Sequence, residues 1–172
     1  MKGVPNGLQA VVAGDGPFAA PMKKCADELG VSKDVTFLGQ VPHDQVAPLH
    51  RACDIYLSLN PMGNLTNANL EAMRCGACMI IPKGQGKRGI DADTDKLVPE
   101  SAVLRIARHD DVAGLAQALH KLHANQVERK ELSSRMAALA SDILPNWNER
   151  VQHEITLLEE LVDAGAATRH KN

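Results

Sequence analysis

Aromatic residues are nearly absent from this 172-residue chain, which has two Phe, one Tyr and one Trp. Single-stranded nucleic acids are bound largely by stacking on aromatic side chains, so this composition disfavours that class of protein. An excess of one charge is lacking too, because 19 Lys and Arg against 21 Asp and Glu leave a net charge of −2. A broad surface for nucleic acid or an anionic membrane is not supported, and only a local anion site remains open.

Long apolar runs and dense cysteines are also missing. No run approaches the roughly 20 apolar residues that span a bilayer, and the N-terminal sequence MKGVPNG lacks the apolar core of a signal peptide. Four cysteines are too few for a disulfide scaffold. We therefore expect a cytoplasmic protein with reduced thiols, and its length fits one domain.

Short apolar runs alternate with segments of helical periodicity. Strands are predicted at 8–13, 35–38, 54–58 and 79–81, with weaker candidates at 96–98 and 103–106. Helices are predicted from 18 to Gly30, from about Thr66 to Gly76, and through most of 110–162. A further helix is predicted to begin at Asp44, which is a good N-cap residue. This alternation indicates βαβ units, so the fold class is α/β, with a Rossmann-like parallel sheet that helices flank on both faces.

Ligands of parallel sheets bind outside the carboxyl ends of the strands, so the loops after the first four strands are the first candidates. The loop after the first strand, Gly14–Ala19, matches the dinucleotide fingerprint G-x-G-x-x-A. An acidic residue should then follow the second strand to hold the cofactor's ribose, but Asp34 precedes that strand. A plain tight turn is therefore favoured over an NAD site.

Two other polar pairs favour structural roles. Cys75 and Cys78 form a C-x-x-C pair that straddles a predicted helix end, whereas a redox pair opens a helix, so small buried residues at a tight turn are the preferred interpretation. His120 and His123 lie on one helix surface without an acidic or Cys partner, so a polar surface pair is preferred over metal ligands.

A Gly-rich loop with three cations follows the fourth strand. Lys83, Lys87 and Arg88 supply the charges, but Ile81 and Arg88 stand where a Walker motif needs Gly and Ser or Thr. Because the loop follows a strand end, it would lie at the ligand-binding edge of the sheet. A solvated surface loop and a counter-charge for a diphosphate both remain open.

The most informative stretch runs from Ser58 to Gly76. A turn rich in Asn, Gly and Thr leads into a helix N-terminus, where backbone N–H groups can bind phosphate. Glu71 lies about one and a half turns into that helix, and its carboxylate can accept two hydrogen bonds from a ribose diol. A capped helix with a solvent-facing Glu71 explains the same residues equally well.

Four segments in this order resemble the C-terminal domain of the retaining group 1 glycosyltransferases, which is half of a GT-B fold. They are residues 11–17 (VVAGDGP), 35–41 (VTFLGQV), 52–58 (ACDIYLS) and 70–76 (LEAMRCG). The resemblance implies a domain that binds a nucleotide sugar, needs no metal or other cofactor, and transfers the sugar when joined to an N-terminal acceptor-binding domain. A non-catalytic nucleotide-binding or interaction module is the alternative.

The resemblance also implies roles for individual residues. Glu71 is similar to the glutamate that holds the ribose, residues 64–68 to the loop that binds the diphosphate and sugar, and residues 39–41 to the segment near the base. The expected donor-binding residues are Gly14, Gly39, Gln40, Val41, Asn64, Leu65, Thr66, Asn67, Ala68 and Glu71, and the candidate diphosphate contacts are Lys83, Lys87 and Arg88.

The chain departs from the family pattern in two ways. Gly63 stands where the family commonly has a second glutamate that contacts the donor sugar. The upstream Arg and Lys that neutralise the diphosphate, and the acceptor-binding domain before them, are missing. Residues 1–163 are expected to form the nucleotide-sugar-binding domain and 164–172 a frayed tail. Alone, the domain is expected to bind a nucleotide weakly and to catalyse little; peripheral association of the full enzyme with a membrane stays open.

Overall fold

Parallel strands and helices alternate along the chain in the computed structural model, which describes residues 7–61, 65–83 and 92–169. The strands are β1 (Ala10–Ala13), β2 (Val35–Gly39), β3 (Tyr56–Leu57), β4 (Met79–Pro82) and β5 (Leu104–Ile106). The helices are α1 (Ala19–Glu28), α2 (His43–Ala52), α3 (Asn67–Arg74), α4 (Ala92–Leu97), α5 (Val112–Ala124), α6 (Gln126–Ile143) and α7 (Trp147–Arg169). This order confirms the predicted α/β class.

The described strands form two parallel sheets rather than the single sheet that the sequence predicts. One sheet has the order β1-β2, with Ala10 opposite Val35. The other has the order β3-β4-β5, with Ile80 of β4 opposite Leu57 and Leu104. Every pairing is parallel, as expected where each strand is followed by a helix.

The hydrophobic core is built around β4, all of whose residues are buried. Because side chains alternate along a strand, Met79 and Ile81 join the cluster that includes α3 and α6, whereas Ile80 joins the cluster that includes α5. Helices therefore cover both faces of the β3-β4-β5 sheet, as predicted.

The β1-α1-β2 unit contributes little to this core. Met22 and Leu29 recur at helical spacing along this segment, and both side chains are about half exposed. Ala26 is the one residue of this unit that is buried within the described part of the chain. Helical periodicity shows which face of α1 is apolar, but not whether another element lies against it.

Glycines end two helices as the sequence predicts. Gly30 follows α1 with φ +68°, and Gly76 follows α3 with φ +65°. A Cβ added at Gly76 would lie 3.2 Å from the Cβ of Ala137 on α6. Gly76 therefore serves both the left-handed turn and the close packing of α3 on α6.

Two predictions about helix boundaries are wrong. Pro42, not Asp44, is the N-cap of α2, and Asp44 lies in the first turn, where its charge favours the helix dipole. The weak strand candidate at 96–98 is instead the end of α4, and Val98 N–H donates to Thr94 O at 2.9 Å. A short apolar run cannot separate strand from helix, and the acidic residues just before it favour a helix start.

The last helix is longer than predicted. Its backbone is helical through Arg169, inside the segment 164–172 for which the sequence predicts fraying. The division of the chain at residue 163 stays a prediction. Within the described residues, no helix combines the length and the apolar character that crossing a bilayer requires.

Packing predicts unequal effects of two substitutions on α6. Met136 is fully buried and Val127 is mostly exposed. Met136→Ala is expected to lower the free energy of unfolding by about 2–4 kcal/mol, and Val127→Ala by less than about 0.5 kcal/mol. Urea denaturation of both variants measures the difference, and similar losses would contradict this description of the core.

Candidate functional site

Thr66 fixes the start of α3. Its Oγ1 accepts a hydrogen bond from the backbone N–H of Asn69 at 3.3 Å, as an N-cap side chain should. Asn67 and Ala68 form the exposed first turn. This helix end therefore presents backbone N–H groups and the positive end of the helix dipole to a ligand.

A polar contact beneath this helix end joins α3 to β3 and α2. Asn69 is buried, and its Oδ1 accepts a hydrogen bond from the Tyr56 hydroxyl at 3.0 Å. The Tyr56 ring meets the His50 ring edge-on, with centroids 5.1 Å apart and an interplanar angle of 69°. These three side chains hold the start of α3 in place.

Sequence reasoning missed these three positioning residues. The helical repeat places Asn69 on the same face of α3 as Ala72 and Met73, and all three residues are buried. A single polar residue in an apolar stripe is the signal that could have revealed Asn69, because a buried amide needs partners. No comparable signal marks Tyr56 or His50, whose roles depend on contacts between elements.

Glu71 lies beside the buried face of α3, and its side chain is 37% exposed. Its Oε1 is 3.8 Å from Nδ1 of the exposed His43 on α2. The Glu71 carboxylate takes no part in the Thr66 cap or in the buried face of α3. It can therefore accept hydrogen bonds from a ligand.

Glu71 lines a cavity of about 700 Å³ between α2, α3 and the turn from α6 to α7. Its walls combine apolar side chains with three arginines, and the lining residues are His43, Val46, Ala47, Arg51, Leu70, Glu71, Arg74, Cys75, Leu144, Pro145 and Arg150. Apolar walls with a few polar groups are typical of small-molecule sites.

Burial and the Glu71 carboxylate affect the titration of the positioning residues. Burial raises the pKa of Tyr56, and the charge of Glu71 raises it further. Burial also lowers the pKa of His50, which the charge of Glu71 partly opposes. Tyr56 therefore stays protonated and keeps donating to Asn69, while His50 beside it favours the neutral form.

The predicted residues of the first sheet meet at its carboxyl edge. Gly14 N–H donates to Gly39 O at 2.7 Å, and both glycines have positive φ, +124° and +66°. Gln40 is exposed and Val41 is half-buried just beyond β2. These four residues do not line the cavity that contains Glu71.

The predicted residues of the second sheet divide into two groups. Leu65 and Thr66 are half-buried at the start of α3, directly before Asn67 and Ala68. The remaining positions, Gly63, Asn64, Lys87 and Arg88, lie outside the described residues.

Lys83, the described member of the cationic loop, already has a partner. Its Nζ lies 3.0 Å from Oε1 of Glu100, and this contact holds the pKa of Glu100 below its usual value. The pair is exposed, so its contribution to stability is small. A diphosphate contact from Lys83 requires that this pair rearrange.

The C-x-x-C pair lies at the turn from α3 to β4, where Cys78 is buried as expected but Cys75 is partly exposed and lines the cavity. Cys75 caps the end of α3, and Cys78 is buried just before β4. Burial raises the pKa of Cys78 to about 11, so the reactive thiolate is disfavoured. Within 7–61, 65–83 and 92–169, no three His, Cys, Asp or Glu side chains are grouped as metal ligands.

Comparison with known sequences identifies similar proteins. Residues 4–138 match the family described as glycosyl transferases group 1. A curated relative, the 2-deoxystreptamine N-acetyl-D-glucosaminyltransferase of Streptomyces fradiae, is 31% identical over 117 residues, which make up 68% of this chain and 26% of that protein. The chain thus spans about a quarter of the length of this relative.

Comparison with solved structures bears out the fold class, half of a GT-B fold. Anabaena Alr3699/HepE, solved in complex with UDP, matches with a TM-score of 0.75 at 20% identity over 91% of this chain and 42% of that one. The C-terminal domain of the group 1 family protein LpcC from Francisella tularensis matches with a TM-score of 0.66 at 19% identity over 80% of this chain and 70% of that one.

Loss of the Thr66 cap of α3 should measurably lower the free energy of unfolding. Thr66→Ala removes the oxygen that accepts from Asn69 N–H, so the free energy of unfolding is expected to fall by about 1 kcal/mol. Thr66→Ser keeps a hydroxyl and should retain most of that stability. Urea denaturation tests both variants, and an equal loss in Thr66→Ser would show that the cap is not the cause.

His50 should make stability depend on pH. Its pKa is lowered from 6.5 by burial, so the unfolded chain binds this proton more tightly than the folded one. Stability is therefore lost as pH falls through 6.5 toward the folded-state pKa. Unfolding measured at about pH 7.5 and about pH 5.5 should show a larger loss in the parent chain than in His50→Gln. An identical loss in the two proteins would contradict this role of His50.

Proposed function

Since this chain belongs to the group 1 glycosyl transferases, we propose that it is the donor-binding domain of a retaining enzyme. It takes up a nucleotide sugar at the start of α3 and supplies the sugar to an acceptor bound by an N-terminal domain. The observation that carries the proposal is the position of Glu71, which is partly exposed about one and a half turns beyond the N-cap of α3 and lies 3.8 Å from the exposed His43.

The spacing on α3 fits a nucleotide. At about 1.5 Å of rise per residue, Glu71 lies about 6 Å along the helix from Asn67. That distance suits a diphosphate on the N–H groups of the first turn and a ribose diol at the Glu71 carboxylate. The base then extends toward residues 39–41, in keeping with the order of the family motifs.

The charge of the diphosphate must be offset by protein groups in this proposal, because it includes no metal or cofactor. The end of α3 supplies a partial positive charge. Lys83 becomes available if it leaves Glu100, from which it is separated by 3.0 Å. Because both groups are exposed and the pair is weak, a diphosphate competes well for the Lys83 ammonium.

The acceptor-binding domain belongs to the proposal for the complete enzyme. The chain spans 26% of the Streptomyces relative and 42% of the Anabaena protein. Sugar transfer depends on holding donor and acceptor together and on neutralising the leaving diphosphate. We therefore assign donor binding to this chain, and catalysis to its combination with an acceptor domain.

UDP is the first nucleotide to test, since the Anabaena relative was solved with it. We expect calorimetry to detect weak UDP binding by this chain, and Glu71→Gln to weaken it by about 10- to 100-fold through loss of charged hydrogen bonds to the ribose. Glu159→Gln on α7 is the matched control, because that glutamate is exposed and lies outside the cavity.

Two results would overturn the proposal. The first is an absence of binding to UDP, GDP and ADP at millimolar concentration. The second is UDP binding of the same affinity in Glu71→Gln and in the parent chain. Preference for GDP or ADP with the same dependence on Glu71 would keep the site and change the base.

A further inference from the structure

A buried arginine on β5 takes no part in the site described above. The side chain of Arg105 is only 4% exposed. Its neighbours Leu104 and Ile106 contact the cluster that includes α5, so Arg105 lies on the opposite face of the sheet, because side chains alternate along a strand. A buried cation costs free energy unless it is paired and hydrogen-bonded. Arg105 therefore depends on specific partners, and these lie on β4 and α4.

The guanidinium of Arg105 bonds to groups on two elements. Its Nη1 lies 2.6 Å from Oδ1 of Asp95 on α4, and it donates to Pro82 O at the end of β4 at 3.3 Å. Its Nη2 donates to Val98 O, one residue beyond α4, at 2.7 Å. Because the donors of a guanidinium are fixed in one plane, these bonds tie the end of β4 to the end of α4.

The bond to Pro82 acts on the peptide unit that leads into Lys83. The carbonyl of this unit accepts from Arg105, and its N–H, which belongs to Lys83, donates to Ile106 O at 2.8 Å. These two groups lie in one rigid plane. With a hydrogen bond on each side, the peptide unit cannot rotate without breaking one of them. Arg105 therefore helps to fix the backbone of Lys83, and with it the direction in which the Lys83 side chain leaves the sheet.

The bond to Val98 acts in the same way on the partner of Lys83. Glu100 follows Val98 by two residues, so Arg105 holds the backbone just before Glu100 beside the end of β4. Across this junction Nζ of Lys83 lies 3.0 Å from Oε1 of Glu100. Both side chains are more than half exposed, and such an exposed pair is weak. The buried Arg105 therefore brings the two side chains together, rather than their own attraction.

We propose that Arg105 is a positioning residue for phosphate binding: it holds Lys83 at the carboxyl end of β4, where the Lys83 ammonium exchanges Glu100 for a phosphate group. Ligands of parallel sheets bind at that end of the strands. Because Arg105 is buried and bonded to the protein, it acts through Lys83 and does not touch the ligand. The inference rests on the proposed function in taking the phosphate to be the diphosphate of a nucleotide sugar.

A purely structural role for Arg105 predicts a different outcome, in which its replacement lowers stability without changing what Lys83 contacts. Arg105→Lys keeps the charge beside Asp95, but a single ammonium cannot reproduce the planar fork that reaches both carbonyls. If this variant does not fold, Arg105→Gln combined with Asp95→Asn takes its place, because it removes the ion pair as a whole and leaves no unpaired buried charge.

Arg129→Lys is the matched control. Nη1 of Arg129 also donates to two backbone carbonyls, Leu122 O and His123 O, but these lie near the end of α5. The control therefore removes the same kind of contact without affecting the junction of β4 and α4.

The first test needs no ligand. Lys83 holds the pKa of Glu100 below its usual value, so the titration of the Glu100 carboxyl, followed by NMR, reports where the Lys83 ammonium lies. Arg105→Lys should raise this pKa toward its value in Lys83→Met, although Arg105→Lys leaves the net charge unchanged. Arg129→Lys should have no effect. An unchanged Glu100 pKa in Arg105→Lys would overturn the proposal, because Lys83 would then keep its place without Arg105.

The second test uses inorganic pyrophosphate, which carries the charge of a diphosphate without a nucleoside. We expect millimolar binding by the parent chain, and a loss of about 3- to 10-fold in Arg105→Lys, because a charge-assisted contact is weakened. Arg129→Lys should bind as the parent does. In the Lys83→Met background Arg105→Lys should cause no further loss, because both substitutions remove the same contact.

Three results of the second test would overturn the proposal. They are an absence of pyrophosphate binding, equal binding by the parent and Arg105→Lys, and a full additional loss in the Lys83→Met background. The proposed function is judged separately with UDP. Pyrophosphate binding that depends on Arg105, together with no binding of UDP, would refute the nucleotide site and leave the role of Arg105 in phosphate binding in place.

Discussion

Burial of Ala72 and Met73 against β4 determines how α3 is turned about its axis. With Asn69 on the same buried face, the helical repeat places Glu71 toward α2 and the cavity. Thr66 then fixes where the helix begins, and the Tyr56–Asn69 hydrogen bond fixes that end relative to β3. The candidate site is thus a consequence of core packing, because a small rotation of α3 would remove the carboxylate from the cavity.

Local patterns in the sequence predicted the features that depend on short stretches of chain. Alternating apolar runs located most strands, and the left-handed positions of Gly30 and Gly76 marked helix ends. The turn before Glu71 can cap a helix, and this pattern marks Glu71 as a candidate ligand-binding residue. The donor-binding residues nevertheless remain predictions, because their assignment depends on a ligand that contacts several loops at once.

Features that depend on contacts between elements cannot be predicted from such local patterns. The run at 96–98 is too short to have a period, and its conformation follows from α4 before it. His50 and Tyr56 act through ring packing across α2 and β3, which no spacing along the chain encodes. The exposed face of α1 shows the same limit, since the amphipathic pattern is present but the covering element is not among the described residues.

The proposed nucleotide site involves the carboxyl ends of strands from both sheets. Ligands of parallel sheets flanked by helices bind outside the carboxyl ends of the strands, and the predicted donor-binding residues follow β1, β2 and β3 in the chain. The central claim, that the start of α3 and the adjoining strand ends bind a nucleotide, is tested most directly by titrating the isotopically labelled chain with UDP and following its backbone amide resonances. If the nucleotide binds there, progressive shifts are expected at residues 65–68, Glu71 and 39–41, with α6 unaffected. Shifts confined to α5 and α6, or none at saturating nucleotide, would contradict it.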